Sequence, residues 1–243
     1  MHNITSRNLL NNITCGVQNL IPSVCCDRDK ISTIDYCLSC GKTHHPLSNR
    51  CTGCEDVHPG DWPWTVILQY QDDVSDSIIC GGTLVSSKHV ITAAHCLKDA
   101  IPESVVLGET NITSKYDCLQ DIDLCGDEPN TENCFKNGRC ADKVLNVKVK
   151  YSEIHPGYTN NGDVPVNDVA IITLETHAKF SRFIQPLCLP KKPVTEKLTK
   201  LSISGWGNTV DAKTLNKPMF SQVLQYLNVK EVDIDSCSKM WNK

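Results

Sequence analysis

The chain has 243 residues, 24 Lys and Arg against 28 Asp and Glu, a formal net charge of −4, and 15 cysteines. That length holds one all-β domain of roughly 200 residues plus a small module, and the acidic balance leaves no basic footprint for nucleic acid. No apolar stretch approaches the roughly eighteen residues of a membrane span, and such cysteine usage is hard to keep reduced, so the chain reads as secreted, extracellular and disulfide-bonded.

In chain order, residues 1–36 are short in pattern, contain cysteine, and show little strand patterning; the doublet Cys25-Cys26 is their sharpest feature. The sequons Asn3-Ile4-Thr5, Asn12-Ile13-Thr14 and, further on, Asn111-Ile112-Thr113 mark Asn3, Asn12 and Asn111 as candidate glycosylation sites. Met1 to Cys15 is polar and lacks the apolar core of a secretory leader. Together with the odd cysteine count, this makes the sequence read as a piece of a longer protein, cut at one end or both.

Residues 37–50 form a polar linker of turn formers (Ser39, Gly41, Pro46, Ser48, Asn49) that ends in Arg50. From Trp62 onward, short β-runs follow one another: Thr65–Leu68, Thr83–Val85, His89–Ile91, Val105–Leu107, Val144–Val149, Ala170–Leu174, Leu201–Ser204 and Val223–Leu227. Turn residues separate them at spacings that suit a barrel or sandwich. Neither a long helical period nor an internal repeat is present.

Between Glu109 and Val144 lies an acidic excursion with Cys118, Cys125, Cys134 and Cys140 among Asp117, Asp121, Asp123, Asp127, Glu128 and Glu132. Asp121, Asp123, Gly126 and Glu132 match part of an EF-hand loop, but Cys125 stands at its fifth position and no helices flank it. A surface excursion stapled by two local disulfides is the reading here, with calcium as the alternative.

Two segments carry chemistry. Thr92-Ala93-Ala94-His95-Cys96 is answered downstream by Asn167-Asp168-Val169-Ala170. A histidine that takes a proton from a hydroxyl needs a buried carboxylate to fix its tautomer and stabilise the imidazolium. The order His then Asp is the one in which a nucleophilic serine comes last, yet Gly-Asp-Ser-Gly-Gly occurs nowhere in the sequence. The other seven histidines read as structural.

These segments, with Pro59-Gly60-Asp61-Trp62-Pro63-Trp64, Cys80-Gly81-Gly82-Thr83-Leu84, Val106-Leu107-Gly108-Glu109, His155-Pro156-Gly157-Tyr158, Pro186-Leu187-Cys188-Leu189-Pro190 and Gly205-Trp206-Gly207, make residues 51–243 resemble a trypsin-like serine protease domain. Cys15-Gly16 and Val24-Cys25-Cys26 resemble, less specifically, the last half of a clip domain. The resemblance implies an all-β fold: a double antiparallel β-barrel of the chymotrypsin type, the second barrel incomplete, preceded by a partial clip-like module. The domains expected are 1–36 (clip-like), 37–50 (linker) and 51–243 (protease domain, incomplete at its C-terminus).

It further implies His95 as base, Asp168 as its orienting carboxylate, a Cys80–Cys96 disulfide, and a Cys40–Cys188 bridge from linker to protease domain. A local Cys37–Cys40 ring is the alternative to that bridge. Arg50 fits the activation cleavage position, with Cys51 the new N-terminus, and Cys237 matches the first cysteine of a pair completed downstream. Cys51-Thr52-Gly53-Cys54 departs from the family's aliphatic pair followed by two glycines, which puts ordinary activation in question.

The implied function is a secreted serine endopeptidase, the zymogen of a proteolytic cascade, with the sequence as given lacking its nucleophile and inactive. No cofactor is required; calcium in relatives binds a loop beginning where Glu109 stands. Implied partners are a protein substrate, an upstream activating protease and a protease inhibitor, with no nucleic acid and no membrane span. Two other readings stay open: a non-catalytic protease homologue acting as a cofactor or regulator, and an extracellular Cys-rich interaction module that works through its acidic loop.

Overall fold

Runs of Val, Ile and Leu cut every few residues by Gly, Ser or Asp favour sheet over helix. The computed structural model of the chain describes residues 14–18, 21–24, 40–43, 55–70, 80–118, 140–141, 144–160, 165–190, 201–207 and 220–241. Strands dominate what it describes. β1 (Thr14–Gln18) and β2 (Ile21–Val24) form an antiparallel ribbon with Gln18 opposite Ile21 and Thr14 opposite Val24. The sequence shows little strand patterning there, partly because Pro22 argues against a strand. A two-stranded ribbon consists only of edges, and an edge tolerates proline.

After β3 (Glu55–Asp56), six strands close into one antiparallel barrel. They are β4 (Thr65–Gln69), β5 (Gly81–Leu84), β6 (His89–Thr92), β7 (Ser104–Leu107), β8 (Leu145–Ile154) and β9 (Ala170–Leu174), in the spatial order β4-β5-β6-β9-β8-β7. Closure leaves the barrel without a free edge. Val66, Leu84, Val90, Val105, Leu107, Ile172 and Leu174, all 0% exposed, fill it.

The second layer is a three-stranded sheet, β10 (Leu201–Gly205) beside β11 (Gln225–Val229) beside β3. Its core is smaller: Val57, Trp206, Leu224 and Tyr226, with Trp62 and Ile67 packed against them. Trp62 also packs against the barrel core, so one indole joins both. The segment after β7 ties the layers further. Thr110 O accepts from the Trp206 indole at 3.1 Å and from Leu224 N at 2.8 Å, and Asn111 bridges to Val223.

Two helices complete the described residues, the single turn α1 (His95–Lys98) and α2 (Ile234–Trp241). With eight residues, α2 is too short to show a long helical period in the sequence. Its start is nevertheless written in the chain, because Asp233 Oδ1 accepts from Ser236 N at 2.9 Å as an N-cap.

Candidate active site

β5 and β6 set the position of His95. Their pairing is close because Gly82 faces Val90: a Cβ there would lie 2.7 Å from Val90 Cγ1 and 2.9 Å from Ile91 O. Thr92, the last residue of β6, donates from Oγ1 to Gly81 O at 2.8 Å. Three residues later α1 opens on His95, with Ala94 before it 0% exposed. Cys96 is bonded to Cys80, 16 residues away, a closure worth about 3 kcal/mol on loop entropy. Tyr70 Oη donates to Cys96 O at 2.7 Å. His95 therefore sits on a turn fixed by a disulfide, a buried alanine and a phenol.

Asp168 comes from the approach to β9. Asn167 adopts the left-handed region at φ 54°, which asparagine tolerates better than most residues. Its Nδ2 donates to Gly157 O at 2.9 Å, and its carbonyl accepts from Val169 N at 2.8 Å. That sharp turn aims Asp168 across the sheet at His95. Oδ1 accepts from His95 N at 2.8 Å and Oδ2 meets His95 Nδ1 at 2.7 Å, with His95 54% and Asp168 21% exposed. Burial pushes the Asp168 carboxyl up, but hydrogen bonds from the His95 side chain and backbone, the imidazole charge and the Ala94 amide outweigh it and hold it below its ordinary value.

An ionised carboxylate can only accept, so the proton on Nδ1 is His95's own and Nε2 is the ring nitrogen with a free lone pair. Among the described residues Nε2 meets Cys96 Sγ at 3.6 Å. A disulfide sulfur competes poorly for that nitrogen, which stays available as a base. The ligand atoms of Cys80, His95 and Cys96 lie within 4.8 Å of one another. The sulfurs are bonded to each other, however, and metals bind thiolates.

The remaining candidates are spread over the molecule. Cys40 is bonded to Cys188, and Gly41 N donates to Pro186 O at 2.8 Å, so the described part of the linker runs along the barrel segment at 186–188. Cys118 is bonded to Cys140. Among the described residues Cys237 has no disulfide partner. Arg50, Cys51, Cys54, Cys37, Asn3, Asn12, Cys125, Cys134 and the acids from Asp121 to Glu132 lie outside the described residues.

Glu109 lies against Asp117, itself 7% exposed. Burial first, then the Asp117 charge and a hydrogen bond to it, push the Glu109 carboxyl up to about 7. Calcium takes six to eight oxygens. Asp117 has committed both of its own, to Thr110 N at 2.6 Å, Asn111 N at 3.1 Å and Ser114 Oγ at 2.6 Å, while Glu109 is hydrogen-bonded to Asp117 and accepts from Thr110 N at 3.0 Å on Oε1, so the loop's own groups engage both carboxyls.

The other described histidines have partners of their own away from His95. His89 Nδ1 meets Ser86 Oγ at 2.7 Å, His177 Nδ1 meets Ser87 Oγ at 2.8 Å, and His155 Nδ1 accepts from Gly157 N at 3.0 Å. His58 N donates to Asp61 Oδ2 at 3.2 Å. Two members of the His95 environment escape a reading of the sequence. The Tyr70 contact links residues 26 apart and carries no motif. The turn at Asn167 is the stronger omission, since asparagine tolerates the left-handed region better than most residues.

The family of the chain is shown by its likeness to known proteins. A sequence model of the Trypsin family matches residues 51–126 and 125–243. CLIP domain-containing serine protease HP8 of Bombyx mori is 27% identical over 225 residues, covering 83% of this chain and 56% of its own length. Serine protease grass of Drosophila melanogaster is 27% identical over 244 residues, covering 94% and 58%. The chain thus spans little more than half the length of these relatives. The crystal structure of the Drosophila Grass clip serine protease of the Toll pathway superposes with a TM-score of 0.64 at 26% identity, over 98% of this chain and 64% of that one. The closed barrel, the His95–Asp168 pair on its rim and the family match across both barrel and second sheet lead to one statement: the chain belongs to the trypsin family and is similar to clip-domain serine proteases.

Proposed function

We propose that this protein is a secreted serine endopeptidase, the zymogen of a proteolytic cascade, in which His95 and Asp168 serve a serine nucleophile. The observation that carries the reading is the double hold of Asp168 on His95, one oxygen on the backbone N and the other on Nδ1. Such a hold fixes both the position and the tautomer of the ring. In the mechanism, Nε2 takes the hydroxyl proton as the serine oxygen attacks the scissile carbonyl, and Asp168 stabilises the resulting imidazolium. His95 then returns the proton to the leaving amine, and water repeats the cycle on the acyl-enzyme.

Gly-Asp-Ser-Gly-Gly is absent from the 243 residues, so the reading takes the serine, and the oxyanion donors beside it, from elsewhere in the full protein. Residues 1–243 alone are accordingly proposed to be inactive. In the same reading 1–36 is a clip-like module, 37–50 a linker and 51–243 the protease domain. Cleavage after Arg50 frees Cys51, and the Cys40–Cys188 bond keeps the linker attached to the barrel after the cut. Partners are a protein substrate, an activating protease and an inhibitor.

Cys51-Thr52-Gly53-Cys54 favours a second reading, a non-catalytic homologue that acts as a cofactor. The two part on one experiment. Full-length protein cut after Arg50 is treated with a fluorophosphonate, which labels only an activated serine. The enzyme reading expects labelling that His95→Ala abolishes, and an Asp168→Asn variant whose kcat on an arginine ester falls on the order of a thousandfold or more. Cut, folded, full-length protein that takes no label and turns nothing over fits the homologue instead.

A further inference from the structure

We propose that Asn111 carries an N-linked oligosaccharide. A sequon alone is a weak signal; the placement of this one is the argument. Asn111 Oδ1 receives two hydrogen bonds from the third residue of the sequon, from Thr113 N at 3.1 Å and from Thr113 Oγ1 at 2.8 Å. An amide N–H can only donate, so the atom facing Thr113 is the oxygen and Nδ2 turns the other way. Among the described residues Nδ2 meets no partner, while Ile112 and Thr113 beside it are exposed. Other asparagines use the same nitrogen: Nδ2 of Asn146 donates to Gln69 at 2.8 Å, and Nδ2 of Asn167 to Gly157 O at 2.9 Å.

The backbone under the side chain is fixed independently. Asn111 N donates to Asp117 Oδ1 at 3.1 Å, its carbonyl accepts from Ser114 N at 3.0 Å and Ser114 Oγ at 3.1 Å, and Ile112 N donates to Gln222 O at 3.0 Å. A sugar on Nδ2 therefore displaces no contact among the described residues. The chemistry balances on a lipid-linked oligosaccharide diphosphate as co-substrate. The Asn111 nitrogen loses a proton to a base of the transferase and bonds to the anomeric carbon, whose bond to the diphosphate oxygen breaks, releasing the lipid diphosphate.

The test is peptide mapping of the full-length protein secreted from insect cells. Deglycosylation by an amidase in heavy-oxygen water converts a glycosylated asparagine to labelled aspartate. The proposal expects the label at position 111 in most molecules, its loss in Thr113→Ala and its retention in Thr113→Ser. The map of the wild-type protein decides even if Thr113→Ala fails to fold. An Asn111 peptide recovered mainly unmodified from secreted, disulfide-bonded protein overturns the proposal. That result leaves the protease reading untouched, since labelling of the serine is a separate readout.

Discussion

Asp168 and Glu109 are two carboxyl groups moved in opposite directions by their surroundings. Asp168 meets donors on both oxygens, so its hold on His95 persists at neutral pH and is lost only as pH falls through a value below its ordinary 3.8. Glu109 has burial and a second carboxylate beside it. Its folded value of about 7 exceeds its ordinary 4.5, so folded protein keeps a proton that unfolded chain releases. Stability from this group is full below pH 4.5, declines as pH rises toward 7, and is flat above. Glu109→Gln keeps the shape and an acceptor oxygen but has no proton to lose. Melting temperatures of variant and wild type measured across that range should coincide at the acid end and separate toward neutrality, with the glutamine variant higher. Parallel curves would mean that Glu109 titrates normally.

At the scale of elements, the turn that presents His95 depends on strands packed closer than most side chains allow. Gly82→Ala places a methyl against Val90 Cγ1 and the Ile91 carbonyl, and backbone cannot yield as a flexible side chain can. Overpacking of this kind costs about 1–3 kcal/mol; urea denaturation should show a lower midpoint with an unchanged slope. Much of this architecture is legible in the sequence, because barrel strands such as Thr65–Gln69 and Ala170–Leu174 are dense in β-branched residues. His95 and Asp168 are legible because each sits in a longer motif.

What escapes has a physical reason. α2 is too short to show a helical period and is announced only by its Asp233 cap, while the β1–β2 ribbon contains Pro22, which tells against a strand in any longer sheet. The contact of Glu109 with Asp117 depends on how the intervening loop turns back through Ser114, not on local propensity.

The two layers of the whole molecule are separate hydrophobic clusters with Trp62 against both. Its indole stands edge-on to Trp64 in the barrel and tilted on Tyr226 in the sheet, each at 5.9 Å between centroids. Its Nε1 is buried and, among the described residues, finds no acceptor. The ring therefore contributes packing while its N–H contributes a desolvation penalty, and two substitutions separate these effects. Trp62→Ala removes the shared wall of both clusters and should cost about 3 kcal/mol or more, with the single unfolding transition broadening or splitting as the layers lose their connection. Trp62→Phe keeps an aromatic face and removes the unpaired donor, so it should cost well under half as much. If phenylalanine proves as damaging as alanine, the N–H has a partner such as an ordered water. If alanine leaves one sharp transition, the link between the layers runs instead through Thr110 and its bonds to Trp206 and Leu224.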